Sequence, residues 1–259
     1  MVSRTQASIL KEAVRLTHHR RFKGIIADVG GPTANMYGFE CTRKTTQGAC
    51  AHKRCLYPKT CRQLSVCHKP QIDLLTALRG LAGVRKVFVG SGIRHDLILA
   101  DRHHGRHYLQ TLLRHHISGQ LKLAPEHVQP AVLQLMGKPT PDTLERFLML
   151  FQALNLSCAC NVFLTYYLMA AHPGCTRGDM QILRRFAQQK LHLLPEQIQI
   201  FTPTPSTFST LMYHTEIDPF SGRKIFVEKV LSRKKQQKDV MRSRGRGFRE
   251  QRVNKKAYQ

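Results

Sequence analysis

Short apolar runs alternate with amphipathic segments along most of this chain. Apolar side chains at helical spacing predict helices over 3–16, 72–81, 108–116, 128–135, 143–154 and 179–191. Short runs rich in β-branched and apolar residues, closed by Gly or Pro, predict strands over 24–29, 86–90, 120–124, 162–167 and 197–201. Strict alternation of strand and helix is typical of parallel βαβ units in a sheet or a barrel. Because such architectures normally begin with a strand, the opening helix predicts that one strand lies upstream of it.

Each predicted strand ends in Gly or Pro beside a side chain that can contact a ligand. In parallel α/β folds the carboxyl ends of the strands meet at one edge, where binding sites form. The segments at these ends are DVGGPT at 28–33, GSGIR at 90–94, KLAPEH at 122–127, AAHPG at 170–174 and TPTP at 202–205. Five such ends in register favour a ligand site over purely structural turns.

Composition limits the class of protein. The 259 residues are 42% hydrophobic and 22% charged, which is typical of a folded domain that needs no disulfides for stability. The sequence contains no apolar run of the length that spans a bilayer and no signal-peptide pattern at its start. We therefore expect a cytoplasmic protein without a membrane partner, in which the eight cysteines are free thiols or metal ligands.

The charge is strongly positive. Lys and Arg number 41 against 16 Asp and Glu, a formal net charge of +25. Residues 223–259 hold 14 of these basic residues and 3 acidic ones, a local net charge of +11. Such a field attracts RNA or another polyanion, and RGRGFR at 244–249 is similar to RNA-binding Arg/Gly segments. The alternative is a solvated tail, and we expect disorder past residue 231 and a fold that survives deletion of 232–259.

The strand-end segments together resemble the YgiQ-like radical S-adenosylmethionine (SAM) family. DVGGPTANMY at 28–37 is the long and specific match. The resemblance continues, in the family's order and over about residues 1–230, through SGIR at 91–94, LAPEH at 123–127, GKP at 137–139, AHPG at 171–174, FTPTP at 201–205 and STLMY at 209–213. It implies a partial (βα)6 barrel over 1–202, here lacking its first strand, and a C-terminal extension over 203–259. A non-radical barrel enzyme is disfavoured, because no phosphate-binding glycine loop or catalytic triad spacing stands out.

The resemblance also implies the cofactors. Such enzymes hold a [4Fe–4S] cluster in a Cys-x-x-x-Cys-x-x-Cys loop after strand one, and the cluster cleaves SAM to a 5′-deoxyadenosyl radical. No three cysteines of this sequence have that spacing. We therefore expect the cluster loop to lie before Met1, this chain to be the C-terminal part of the enzyme, and the chain alone to be inactive. The substrate of the radical is not implied.

Site residues follow residue by residue from the same resemblance. Gly30, Gly31 and Pro32 occupy the place of the family's Gly-Gly-Glu motif, whose backbone binds the SAM amino group, with Pro32 in place of the Glu. Ser91 and Arg94 are expected to reach the ribose or the carboxylate of SAM. Glu126 is expected either to accept hydrogen bonds from the ribose or to stabilise a helix N-terminus. His172 is expected either to line the site or to cap its strand.

A cysteine-rich insert occupies residues 41–67. Its density of thiols in a reducing compartment suggests metal, and Cys50, Cys55, Cys61 and Cys67 are the candidate ligands for zinc or an auxiliary cluster. His52 and His68 are further possible ligands. The spacings match no common zinc motif, however, so free thiols in a loop are the alternative.

Overall fold

The chain folds as a parallel α/β protein in the computed structural model, which describes residues 3–31, 33–50, 54–192 and 198–242. The strands are β1 (Ile25–Ile26), β2 (Lys86–Val87), β3 (Gln120–Glu126), β4 (Phe163–Ala170) and β5 (Ile198–Ile200). The helices are α1 (Gln6–Thr17), α2 (Thr42–Gln47), α3 (Lys69–Arg79), α4 (His95–Ala100), α5 (Gly105–Thr111), α6 (Pro130–Met136), α7 (Pro141–Ser157), α8 (Arg177–Lys190), α9 (Phe208–Thr215) and α10 (Leu231–Asp239). A π-helix over Leu112–His116 continues α5.

All strand pairs are parallel, as the alternation predicts. β1 pairs with β2, and β3, β4 and β5 form a second set in sequence order. The backbone beyond β2 joins the two sets through a parallel bridge between Ile93 and Leu123. Each predicted strand overlaps an observed one, whereas closure into a partial barrel stays a prediction.

Local sequence explains where the helices begin. Thr176 accepts a hydrogen bond from the Asp179 amide, and Asp179 in turn accepts one from the Thr176 amide, a reciprocal capping box at the start of α8. α6 and α7 each place a proline in the first turn, where no amide donor is needed. Their apolar faces pack with the strands in one core that includes Leu121, Leu168 and Phe147.

The helix predicted over 108–116 is confirmed as α5 followed by the π-helix, with a change of hydrogen bonding at Leu112. One prediction of local structure is wrong. The strand expected to close before Pro125 continues to Glu126 through a register shift after Leu123. A β-bulge accommodates the proline, which cannot donate to the ladder.

The C-terminal region also differs from expectation. Disorder is predicted past residue 231, but residues 231–239 form α10, and Met241 after it is buried. α10 packs on β4, β5 and α8. The composition suggests disorder because α10 is very polar, yet Lys234 and Gln237 are buried through specific hydrogen bonds. The Arg/Gly segment at 244–249 lies outside the described residues. No helix in the described part of the chain is both long and apolar enough to cross a membrane.

Candidate functional site

The carboxyl ends of four of the strands carry the residues expected at a ligand site. Gly30 and Gly31 follow β1, Ser91 and Arg94 follow β2, and Glu126 ends β3. His172 lies two residues beyond β4. Because the strands are parallel, these positions share one edge of the fold, while Pro32 lies outside the described residues.

Asp28 joins the first two strand ends. Its Oδ1 accepts hydrogen bonds from the amides of Gly90 at 2.8 Å and Ser91 at 3.2 Å, and its Oδ2 accepts one from the Ser91 hydroxyl. A Cβ on Gly30 would lie 2.4 Å from Ser91 Oγ, so no larger residue fits there without displacement. Gly31 is different, because no atom of the described residues lies within 4 Å of the position of its Cβ.

Asn35 holds the backbone of Arg94. Its side-chain amide donates to the Arg94 carbonyl at 2.9 Å, and its Oδ1 accepts from the Arg94 amide at 2.8 Å. Asn35 also contacts His68 Nε2 at 3.4 Å, and His68 Nδ1 lies 2.8 Å from Asp101 Oδ2. The three side chains are buried, with the His68 ring stacked on Tyr108. The loop that carries Arg94 is therefore tied to the core.

Burial and hydrogen bonding together set the charge states of His68 and Asp101. Burial lowers the pKa of His68, more than the hydrogen bond to Asp101 raises it. Burial alone would raise the pKa of Asp101, but hydrogen bonds from the amides of His104 and His68 outweigh it and the pKa is lowered. A neutral His68 beside a carboxylate Asp101 follows, and the His68 ring is a core residue that packs between Asp101 and Tyr108.

Arg94, Asp96, Glu126 and Lys138 form a half-buried charged cluster. The Arg94 guanidinium makes two hydrogen bonds to Asp96, at 3.0 and 2.6 Å. Lys138 Nζ donates to the Ala124 carbonyl at 2.8 Å and lies 3.7 Å from Glu126 Oε1. Burial lowers the pKa of Lys138 and raises that of Glu126, each opposed by the other's charge. Arg94 and Glu126 thus belong to one cluster, together with Asp96 and Lys138, which the sequence prediction does not include.

Glu126 does not stabilise a helix N-terminus. α6 begins at Pro130 with Gln129 as its N-cap, and Glu126 belongs to β3 instead. Its φ of 67° is unusual for a residue other than glycine. Strained backbone at a strand end is frequent at ligand sites, although here the proline-containing bulge also accounts for it.

His172 is held away from the charged cluster. Its Nδ1 lies 2.8 Å from the Pro173 carbonyl and its Nε2 lies 2.8 Å from Ser209 Oγ, so both ring nitrogens have partners. The ring packs edge-on against Phe201. Burial lowers its pKa to about 4, so His172 is neutral at physiological pH. These contacts favour the structural alternative for His172.

The loop around His172 depends on the C-terminal segment. Gln237 of α10 accepts a hydrogen bond from the Ala171 amide at 3.1 Å and donates to the Cys175 carbonyl at 3.1 Å. The Gly174 amide donates to the Phe226 carbonyl at 2.7 Å. α10 therefore supports one of the strand ends directly.

The cysteine-rich insert is docked on the body without forming a metal centre among the described residues. Arg54 donates to the Gln134 carbonyl at 2.9 Å, and its guanidinium lies 4.1 Å from the Phe220 ring centroid. Burial raises the pKa of Cys55, with smaller contributions from Cys61 and other nearby thiols. Within the described ranges, no group of three or more His, Cys, Asp or Glu side chains is arranged to hold a metal ion. The candidate ligands of the insert are free thiols here, namely Cys50, Cys55, Cys61 and Cys67. His52 lies outside the described residues.

One pocket lies beside α9, apart from the charged cluster. It has a volume of about 450 Å³ and is lined by Ser206, Thr207, Phe208, Thr210, Leu211 and His214. None of the predicted SAM residues lines it. The strand-end residues remain the candidate site because their chemistry, and not the size of a cavity, identifies them.

Sequence reasoning missed the residues that position this site. Asp28, Asn35 and Lys138 fall inside the segments that resemble the family, and a polar residue within such a segment is the available signal. Asp101 and Gln237 lie outside those segments. Nothing in the local sequence indicates that they become buried partners of residues 33 and 66 positions away.

Comparison with known proteins shows extensive similarity to one named group. The chain is 51% identical over 241 residues to the UPF0313 protein FN0734 of Fusobacterium nucleatum, covering 93% of this chain and 42% of that protein. It is 46% identical to a UPF0313 protein of Methanosarcina mazei, covering 94% and 38%, and 40% identical to one of Clostridium perfringens, covering 93% and 36%. The chain thus spans well under half the length of these relatives. No protein-family model matches it.

Proposed function

We propose that the chain, which is similar to UPF0313 proteins over more than nine tenths of its length, is part of a radical SAM enzyme of the YgiQ-like family whose strand ends bind SAM. The observation that carries this proposal is the convergence of Gly30–Gly31, Ser91, Arg94 and Glu126 at one edge of a parallel fold. Parallel α/β folds bind ligands at that edge.

The two glycines have separate roles in this proposal. Gly30 packs against Ser91 and Asp28, so it is needed for the fold of the loop. Gly31 is exposed, and among residues 3–31, 33–50, 54–192 and 198–242 none comes within 4 Å of its Cβ position, so its backbone is accessible to a ligand. Glycine allows a ligand to approach the chain closely, so the SAM amino group would meet the backbone at Gly31.

The charged cluster supplies groups for the rest of SAM. Arg94 suits a carboxylate through its planar fork, but Asp96 already occupies that fork, so a SAM carboxylate would have to displace Asp96. Lys138 offers a second cation beside the same site. Glu126 keeps an oxygen for ribose hydroxyls once Lys138 neutralises it.

The iron–sulfur cluster does not fit the residues that the structure describes. No set of three thiolates is available within those ranges, so this chain's own residues support SAM binding and no step through a cluster. When bound, the cluster of such an enzyme supplies the electron that cleaves SAM. Reconstituted with iron and sulfide under a reductant, this chain should form no 5′-deoxyadenosine above a control without protein.

Saturation-transfer NMR tests the binding proposal, because it detects weak ligands. SAM added to the full chain should show transfer to its adenine and ribose protons. Gly31→Val should abolish the transfer without loss of stability, since its side chain enters open space. Gly178→Ala on α8, where the added Cβ meets nothing closer than 3.6 Å, is the matched control and should keep it. Equal transfer in the Gly31→Val variant would contradict the proposal.

RNA binding through the C-terminal region is the second candidate function. The observation that favours it is the net charge of +11 over residues 223–259, with the basic side chains of Arg233, Lys235 and Arg242 exposed. Affinity for single-stranded RNA should fall with salt with a logarithmic slope of about −0.7 per phosphate contact. A chain ending at residue 242 keeps α10 intact. If it binds as tightly as the full chain across a salt titration, the segment after α10 is not the binding element.

A further inference from the structure

Two thiols lie close together at the edge opposite the strand ends. Cys158 is the C-cap of α7, and Cys160 follows it two residues later, before β4 begins. In a parallel fold the loops that precede strands lie at the amino edge, far from the candidate SAM site. Both cysteines are partly exposed, and neither has a role in the proposed function.

The turn that carries these cysteines is held by one asparagine. The Asn155 side chain donates to the Val162 carbonyl at 2.9 Å and accepts from the Val162 amide at 3.3 Å, while its backbone carbonyl accepts from the Cys160 amide at 2.9 Å. Ala159 between the cysteines has a φ of 49°. The Cys160 thiol donates to the Cys158 carbonyl at 3.5 Å, and the two sulfurs interact. The pair is therefore fixed in proximity by the fold.

Arg114 of the π-helix faces the Cys158 sulfur. π-helical turns are frequent at functional sites, and this one places Arg114 near the Cys158 thiol, together with Gln110 of the preceding turn, so that both favour its thiolate. Burial opposes the thiolate, but these partners outweigh it and the pKa of Cys158 is lowered. The pKa of Cys160 is raised, by burial and by Cys158. Cys158 is thus the better nucleophile of the two, and Cys160 stays protonated until Cys158 has formed a mixed disulfide.

The surroundings of the pair are basic. Burial lowers the pKa of His115 at this edge, and the positive charges of Arg79, Arg114 and Lys86 lower it further. A positive field raises the local concentration of anionic reagents. A small anionic disulfide therefore matches the site better than a neutral or cationic one.

We propose that Cys158 and Cys160 form a dithiol site that reduces low-molecular-weight anionic disulfides. The Cys158 thiolate attacks one sulfur of the disulfide, the S–S bond breaks, and the leaving thiolate takes up a proton. The Cys160 thiol then loses its proton and attacks Cys158, which releases the second thiol and leaves a Cys158–Cys160 disulfide. Two protein thiols are oxidised while one disulfide is reduced to two thiols.

The internal control for this proposal is Cys55, an exposed thiol whose pKa is raised. The full chain is treated with oxidised glutathione at pH 7, quenched with an alkylating agent and mapped by mass spectrometry. Cys158 should react at least about tenfold faster than Cys55, because the thiolate is the nucleophile, and a Cys158–Cys160 crosslink should accumulate. Equal rates at the two cysteines would overturn the proposal.

Two variants separate a dithiol from a merely accessible thiol. In Cys160→Ser the mixed disulfide with glutathione should persist on Cys158, because no neighbouring thiol resolves it. Arg114→Gln should slow the reaction of Cys158 several-fold at pH 7 and recover at higher pH, where the thiolate forms without help. Arg233→Gln, an exposed arginine on α10, is the matched control and should change nothing. Loss of the mixed disulfide in Cys160→Ser, or an unchanged rate in Arg114→Gln, would overturn the proposal.

Discussion

The two halves of the strand-end edge are fixed in different ways. After β1 and β2, the loops are tied to each other by Asp28 and Asn35, whose side chains bond the backbone of the neighbouring loop. After β4, the loop is tied to Gln237, which comes from a helix 66 residues later in the chain. The residues that hold the first half, Asp28 and Asn35, lie within the segment at 28–37 that resembles the family. The second half is held by α10, which the composition of the sequence predicts to be part of a disordered tail. The second half of the edge therefore depends on α10, whereas the first half does not.

Truncation of the C-terminal region should have the largest effect on the difference between the two halves. Deleting 232–259 removes α10 and the buried Met241 and uncovers β4 and β5, so we expect a loss of several kcal/mol of stability, since one buried apolar side chain contributes about 1.5–3 kcal/mol. This reverses the expectation from composition that the fold survives that deletion. Deleting 243–259 leaves every described contact in place and should cost little.

Urea unfolding of the two truncated chains beside the full chain measures the difference. A chain ending at 231 that unfolds at the same urea concentration as one ending at 242 would show that α10 contributes nothing to the second half of the edge.

Asn35 tests the first half. In Asn35→Ala the partly buried amide and carbonyl of Arg94 lose their partners, so we expect a loss of about 1–3 kcal/mol. The exposed Asn161→Ala is the matched control and should stay near the parent value. If Asn35→Ala retains full stability in urea, the Arg94 loop does not depend on this clamp, and the contrast between the halves is wrong.

Three buried histidines add a dependence on pH. Burial lowers the pKa of His95, His127 and His172 to about 4 each, from a usual value near 6.5. The unfolded chain therefore binds more protons than the folded one between those values, and stability should fall as pH decreases from 6.5 to 4 and be flat just above 6.5. The free energy of unfolding in urea, measured across that window, checks the direction.

His172→Gln should make this pH dependence shallower, while the exposed His18→Gln should not alter it. An unchanged slope in His172→Gln would mean that His172 titrates in the folded chain as it does in the unfolded one. The loop after β4 would then be more accessible to solvent than the contacts of His172 indicate.

The sequence predicted the strands and their parallel order well, because strand-helix alternation is a local pattern that burial enforces. It also placed Gly30, Ser91, Arg94 and Glu126 at one edge, since parallel strands bring their ends together whatever the loops do. It could not predict Asp101 or Gln237, whose roles depend on contacts between distant segments. Composition misled over α10 because a polar helix can be held by a few buried hydrogen bonds, which a count of charges does not reveal.

We expect the smallest effect from a substitution of Gln237, which removes only the side-chain hydrogen bonds that hold the second half. Gln237→Leu keeps the approximate volume of a buried side chain but leaves the Ala171 amide and the Cys175 carbonyl without partners, so we expect a loss of about 1–3 kcal/mol. Gln236→Leu, its exposed neighbour on α10, is the matched control and should change stability by less. Hydrogen exchange at the Ala171 amide reports the same bond directly and should quicken in Gln237→Leu alone. If both variants exchange and unfold alike, α10 supports the loop through general packing, and Gln237 is not its specific contact.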